Sequence, residues 1–172
     1  MNHEELSIVG KRLPRVDSLP KVIGEAKYDS DIQLPGMLCG RILRSPHPHA
    51  RILHIDTSKA EKLVGVKAVI TAEDTPKIQY GLLVHDEQAL AVGKVRYVGD
   101  EVAAVAATDE DIAEEALELI QVDYEILPAV FDPEKALQPG APVIHEENPT
   151  NIAAHFHVET GNVQAGFKEA DV

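Results

Sequence analysis

The stretch Val95 to Leu127 constrains this chain more than any other. At its centre, Val102-Ala103-Ala104-Val105-Ala106-Ala107 is apolar at every position, so a strand built there should lie centrally, with both faces covered. The alanines leave room for a neighbour to pack very close. A candidate follows directly. Ile112, Ala113, Ala116, Leu117 and Ile120 share one helical face, while Glu110, Glu114, Glu115 and Glu118 fall on the other. Thr108-x-x-Asp111 resembles a capping box in front of that helix, and the acids around it suit the positive end of a helix dipole. Val95-Arg96-Tyr97-Val98 and Val122-Asp123-Tyr124-Glu125-Ile126 alternate apolar with polar residues, as strands with one wet face do. Gly99-Asp100 can take the positive φ values of a tight hairpin between the first of these and the buried strand. The order strand, hairpin, buried strand, helix, strand predicts an α+β fold with a mixed sheet and packed amphipathic helices.

The rest of the chain arranges itself around that core. Residues 1–36 carry Gly10, Pro14, Pro20, Gly24, Pro35 and Gly36 with little periodicity, which predicts an extended arm with isolated strand-like pieces. A core over 37–128 begins with a strand at Met37–Arg44, in which Gly40 marks a bulge or a close backbone approach. Ser45-Pro46-His47-Pro48-His49-Ala50 is a proline-stiffened loop, and Arg51–Asp56 returns as a strand. Ser58-Lys59-Ala60-Glu61 has the form of a capping box for a short helix that Gly65 ends. Val66–Thr71 is a further strand, followed by one helical turn at Thr71–Asp74. Residues 129–172 form a Pro-rich tail. In it Ile152–Val158 reads as a strand start and Val163–Phe167 as a short helical turn. The chain then stops with no strand to receive it, as expected at a domain boundary within a longer polypeptide.

Charge and composition exclude several classes of function. A net charge of −13 and 4% aromatic residues argue against nucleic acid or anionic lipid as partners. No apolar run approaches the ~20 residues of a membrane-spanning helix. The single Cys39 cannot form an internal disulfide, and the N-terminus lacks a secretory pattern, so the cytoplasm is the expected compartment.

Candidate chemistry is sparse. Two histidine pairs, His47/His49 and His155/His157, suggest metal binding, but neither has the third and fourth ligands that zinc requires, and bonding to backbone carbonyls is the simpler expectation. Arg41, Arg44 and Arg51 gather near the 45–50 loop, where they could grip a phosphate or a partner's carboxylates, or form local ion pairs. With His47 and His49 they make a candidate interface. Cys39 has no nearby base to activate it, and no nucleophile elbow, P-loop or dinucleotide fingerprint occurs.

Several separated segments carry a resemblance. They are Val9-Gly10-Lys11, Lys21-Val22-Ile23-Gly24-Glu25-Ala26-Lys27-Tyr28, Pro35-Gly36-Met37-Leu38, Arg44-Ser45-Pro46-His47-Pro48-His49-Ala50-Arg51-Ile52, Val98-Gly99-Asp100-Glu101-Val102-Ala103 and Val122-Asp123-Tyr124-Glu125-Ile126-Leu127-Pro128. In this order they resemble the N-terminal a/b hammerhead domain of the large subunit of molybdenum hydroxylases, the xanthine dehydrogenase and aldehyde oxidase family. Within it, the blocks Arg41–Ala50 and Lys94–Ala107 are most similar to the alpha subunit of 4-hydroxybenzoyl-CoA reductase. The segment from Asn151 to Asp171 looks like the lead-in to a molybdenum-binding domain, with Asn162 where the family commonly has Asp.

The resemblance implies a hammerhead fold within a subunit several times longer. It implies molybdopterin cytosine dinucleotide in later domains of that subunit, and [2Fe-2S] clusters and FAD in partner subunits or domains. In the 4-hydroxybenzoyl-CoA enzyme it adds a [4Fe-4S] cluster. That enzyme removes a phenolic hydroxyl in aromatic degradation, whereas most relatives hydroxylate a carbon with water. No catalytic, cofactor-binding or metal-binding residue carries over onto this chain, which on its own is expected to be inactive. Two other expectations stand beside this one: a free-standing assembly module docking an acidic partner through Arg41, Arg44 and Arg51, and a small metal-binding protein using the histidine pairs.

Overall fold

In the computed structural model, residues 8–82 and 85–171 are described, and they divide into two compact units between Met37 and Leu38. In the first unit, a short helix α1 (Ser18–Val22) and a 3-10 turn (Asp29–Asp31) stand where strand-like pieces were expected. The reason is local. Asp17 draws in both Arg15, at 2.9 Å, and Lys21 one turn on, at 2.5 Å. Pro20 lies in the first turn, where a missing N–H costs nothing. The following turn closes with Asp31 Oδ2 accepting from the Tyr28 N–H at 3.0 Å.

The second unit has strands β1 (Cys39–Arg44), β2 (Ala50–Asp56), β3 (Val66–Thr71), β4 (Lys94–Val95), β5 (Glu101–Ala107) and β6 (Gln121–Ile126). Its helices are α2 (Ser58–Glu61), α3 (Glu110–Leu119), α4 (Pro133–Ala136) and α5 (Val163–Glu169). The α+β class is as expected, but the strands form two antiparallel sheets rather than one mixed sheet. They are ordered β1-β5-β3 and β4-β2-β6. The β5-α3-β6 connection carries the chain from one sheet to the other, so no parallel pair arises from it.

β5 is central, with Val102, Ala103 and Ala107 fully buried and Val105 nearly so. α3 lays Ala113 and Ala116 inward, and Ala116 meets Ala60, Ala103, Val105 and Ile120 in one core cluster. Alanine facing alanine lets the helix come close to the sheet. Burying the Val105 side chain alone contributes about 2 kcal/mol.

Several local expectations are corrected by tertiary contacts. The strand at 95–98 ends at Val95, because Asp100 Oδ2 takes the Arg96 N–H at 2.8 Å and withdraws it from any ladder. Gly99, at φ +99°, therefore turns the chain between sheets instead of closing a hairpin. α3 is capped by Asp109, whose Oδ1 accepts from the Ile112 N–H at 2.9 Å, because the Thr108 N–H is committed to the Gly65 carbonyl at 3.0 Å. α2 starts one residue away from the expected box, with the Thr57 hydroxyl donating to Glu61 at 2.6 Å and Asp56 accepting from the Ser58 N–H at 2.9 Å. The β1 irregularity falls between Leu43 and Arg44, not at Gly40. Residues 152–158 form no strand among the described residues, since no strand edge pairs with them.

Candidate functional site

The loop at 45–50 is fastened on two sides. Pro46 and Pro48 have no N–H to give, so their neighbours make the bonds. The Ser45 N–H donates to the Asp100 carbonyl at 2.9 Å, and the Gly99 N–H donates to the Ser45 carbonyl at 2.8 Å. This staples the loop to the 97–100 turn. The Ser45 hydroxyl is both donor and acceptor to the backbone of His47, at 3.0 Å each way. On the other side, the Leu127 N–H donates to the His49 carbonyl at 2.9 Å. His49 is 3% exposed, and its Nδ1 lies 2.6 Å from the Pro128 carbonyl, an arrangement that makes Nδ1 the protonated nitrogen. His47 presents its ring edgewise to Tyr124, with centroids 5.0 Å apart. Burial pushes the Tyr124 phenol up from its ordinary value.

The three arginines of the candidate interface do not converge. Arg41, on β1, pairs with Glu110 and Glu114 of α3 and so ties the sheet to its helix. Arg44 donates to Glu101 at 2.6 Å and to the Gly99 carbonyl at 2.8 Å. Arg51, in the other sheet, pairs with Glu125 directly across the ladder. Arg44 and Arg51 keep about half their side-chain surface in water, whereas His49 is withdrawn into the interior and presents nothing to a partner. His155 and His157 are exposed on an irregular segment instead of a shared strand face. Among the described residues no group of three or more His, Cys, Asp or Glu side chains is placed to hold a metal ion.

Two features have no counterpart in the sequence patterns. The first is a cleft of about 560 Å³ beside the 97–100 turn, lined among others by Ile42, Tyr97, Asp100, Glu101, Asp86 and His145. Burial pushes the Asp100 carboxyl up, with Glu101 adding to the effect. On Glu101 burial acts in the same direction, but hydrogen bonds from Arg44 and Tyr97 outweigh it and hold its carboxyl below the ordinary range. The Tyr97 hydroxyl donates to Glu101 at 3.0 Å, and burial together with that acceptor pushes it to about 12. The cleft wall is thus a set of mutually satisfied charges.

The second is a strap across β4. Lys94, 7% exposed, reaches the Ile144 carbonyl and Glu146 Oε1, both at 2.6 Å, while Arg96 approaches Glu146 at 3.4 Å. The Lys94 hydrogen bond holds Glu146 down at about 2. Glu146 therefore binds protons less readily folded than unfolded. The strap's contribution is complete above about pH 4.5 and is lost as pH falls toward about 2. Glu146→Gln is expected to trail the unaltered protein at pH 7 by less than about 1 kcal/mol, since Glu146 is 67% exposed and solvent screens the pair. The two should converge by pH 2, which urea unfolding across that range would check.

Residues 23–128 match the family described as aldehyde oxidase and xanthine dehydrogenase, a/b hammerhead domain. The chain belongs to that family. Among its relatives, a probable xanthine dehydrogenase subunit of Bacillus subtilis (strain 168) is 48% identical over 91% of this chain and 21% of its own length. The nicotinate dehydrogenase large molybdopterin subunit of Eubacterium barkeri is 42% identical over 98% of this chain and 40% of its own. Among solved structures, reconstituted CO dehydrogenase from Oligotropha carboxidovorans superposes with a TM-score of 0.74 at 46% identity, over 80% of this chain and 18% of that one. The hammerhead chain thus spans between about a fifth and two fifths of these relatives. Among the described residues, no helix is long and apolar enough to cross a membrane.

Proposed function

We propose that the chain is the hammerhead domain of the large subunit of a molybdenum-dependent oxidoreductase, acting as a support for a redox centre built elsewhere. The observation that carries this is the family match over residues 23–128, joined to relatives several times longer whose names include a molybdopterin subunit and a CO dehydrogenase. The fold suits the role: its core is alanine packed on valine, and the charged groups of the cleft, the strap and the 45–50 loop are turned on one another. In this reading the division is an arm at 1–36, a core at 37–128 and a tail at 129–172 that leads into a molybdenum-binding domain.

Molybdopterin cytosine dinucleotide would sit in the remainder of the same subunit. [2Fe-2S] clusters, FAD and, in one variant, a [4Fe-4S] cluster would sit in partner subunits. Cofactors of this kind carry the difficult chemistry, and the protein supplies position and electrostatics. Arg44 and Arg51, each half exposed beside its own glutamate, would be where the 45–50 loop and His47 meet a neighbouring surface. Such a complex would work in the cytoplasm.

Hydroxylation of a carbon, as in a xanthine dehydrogenase-type enzyme, is the reading these relatives favour. Reductive dehydroxylation in the manner of 4-hydroxybenzoyl-CoA reductase is the second, and it rests on the resemblance read from the residues of the Arg41–Ala50 and Lys94–Ala107 blocks. The test is to purify both the 172-residue chain and the longer polypeptide with its partners. The short chain is expected to hold no molybdenum and to turn over neither a purine nor 4-hydroxybenzoyl-CoA, while the full complex holds molybdenum and turns over one of them. Turnover by the short chain alone, or a full complex without molybdenum, would overturn the proposal.

A further inference from the structure

We draw no further inference here: the strongest candidate, the cavity of about 340 Å³ between the tail and the segment around Asp86, joins apolar Val130, Ala136 and Ile144 to the partly exposed Asp86, His145 and Glu147, and nothing in the structure shows what covers or fills it.

Discussion

Gly65→Ala is expected to remove about 3 kcal/mol of stability, read as a lowered midpoint in urea with an unchanged slope. Two costs add at this position. Gly65 adopts φ +101°, which an L-residue takes at a cost of ~1–2 kcal/mol. A Cβ would also stand 2.6 Å from Ile112 Cδ1 and 2.9 Å from Thr108 Oγ1. Relieving that overlap in a packed site costs a further ~1–3 kcal/mol. Ile112 Cδ1 is the end of a side chain and can turn aside, but the branched Cγ2 of the same residue at 3.3 Å and Thr108 Oγ1 crowd the new methyl group as well. Ile112 is in the first turn of α3, where its N–H is held by Asp109, and the Thr108 N–H donates to the Gly65 carbonyl itself. The substitution would therefore push α3 away from the turn that its own N-terminus needs. Gly40→Ala is the matched control. With open space around the new methyl group, it should be neutral or stabilise the 172-residue chain by up to about 1 kcal/mol. Equal losses at the two glycines would show that chain flexibility, and not the left-handed turn and its contacts, governs the Gly65 effect.

Asn151→Ala carries the second large effect, expected at about 2–3 kcal/mol and confined to the tail. Asn151 is the one non-glycine residue with positive φ, +56°, among the described residues. Its Nδ2 donates to the carbonyls of Ala136 at 3.1 Å and Pro142 at 2.9 Å, and its Oδ1 accepts from the Ile144 N–H at 3.1 Å. One side chain thus gathers the end of α4, the proline segment and the piece that delivers Glu146 to Lys94. Each bond contributes ~1 kcal/mol, and asparagine tolerates the left-handed conformation better than alanine does. The prediction is that amides from 136 to 151 lose hydrogen-exchange protection by a factor of roughly 30–150, while those of β5 and α3 are unchanged. Asn151→Gly should keep the backbone shape and lose only the bonds, giving an intermediate result. Loss of protection in β5 as well would mean that the tail and the core unfold together.

These two positions differ in how visible they are beforehand. Gly65 is expected from the sequence to end the helix begun by Ser58-Lys59-Ala60-Glu61; α2 instead ends at Glu61 with Lys62 as its C-cap, and Gly65 serves the next turn, where the Val66 N–H donates to the Leu63 carbonyl. Nothing local marks Asn151, whose partners lie 7 to 15 residues away in an irregular tail. The same contrast holds at the candidate interface. Arg41, Arg44 and Arg51 stand out as cations in an acidic chain, but the acids that neutralise them come from α3, from the start of β5 and from β6. Proximity in sequence suggested one basic patch. The two-sheet topology distributes it.

What residue order determined by itself is the set of elements whose cause is periodic. The apolar run 102–107 is a central strand, although Ala104 and Ala106 are only half-buried where both faces were expected to be covered; the Ile112-to-Ile120 stripe is a helix, and the run at 66–71 and the alternation at 122–126 are strands. Each depends on spacing within a few residues, and each is written in the chain. Tertiary structure alone decided which strands pair, because a strand's hydrogen bonds run to partners that its own sequence does not name. It stopped β4 at Val95, since the Asp100 carboxylate captures the Arg96 N–H that would have extended the ladder. It buried His49 against Pro128, and it left Ile42 and Ile70 partly exposed on the two edge strands of the first sheet. Those outcomes follow from competition between groups distant along the chain, settled only when the two sheets and the tail are in place.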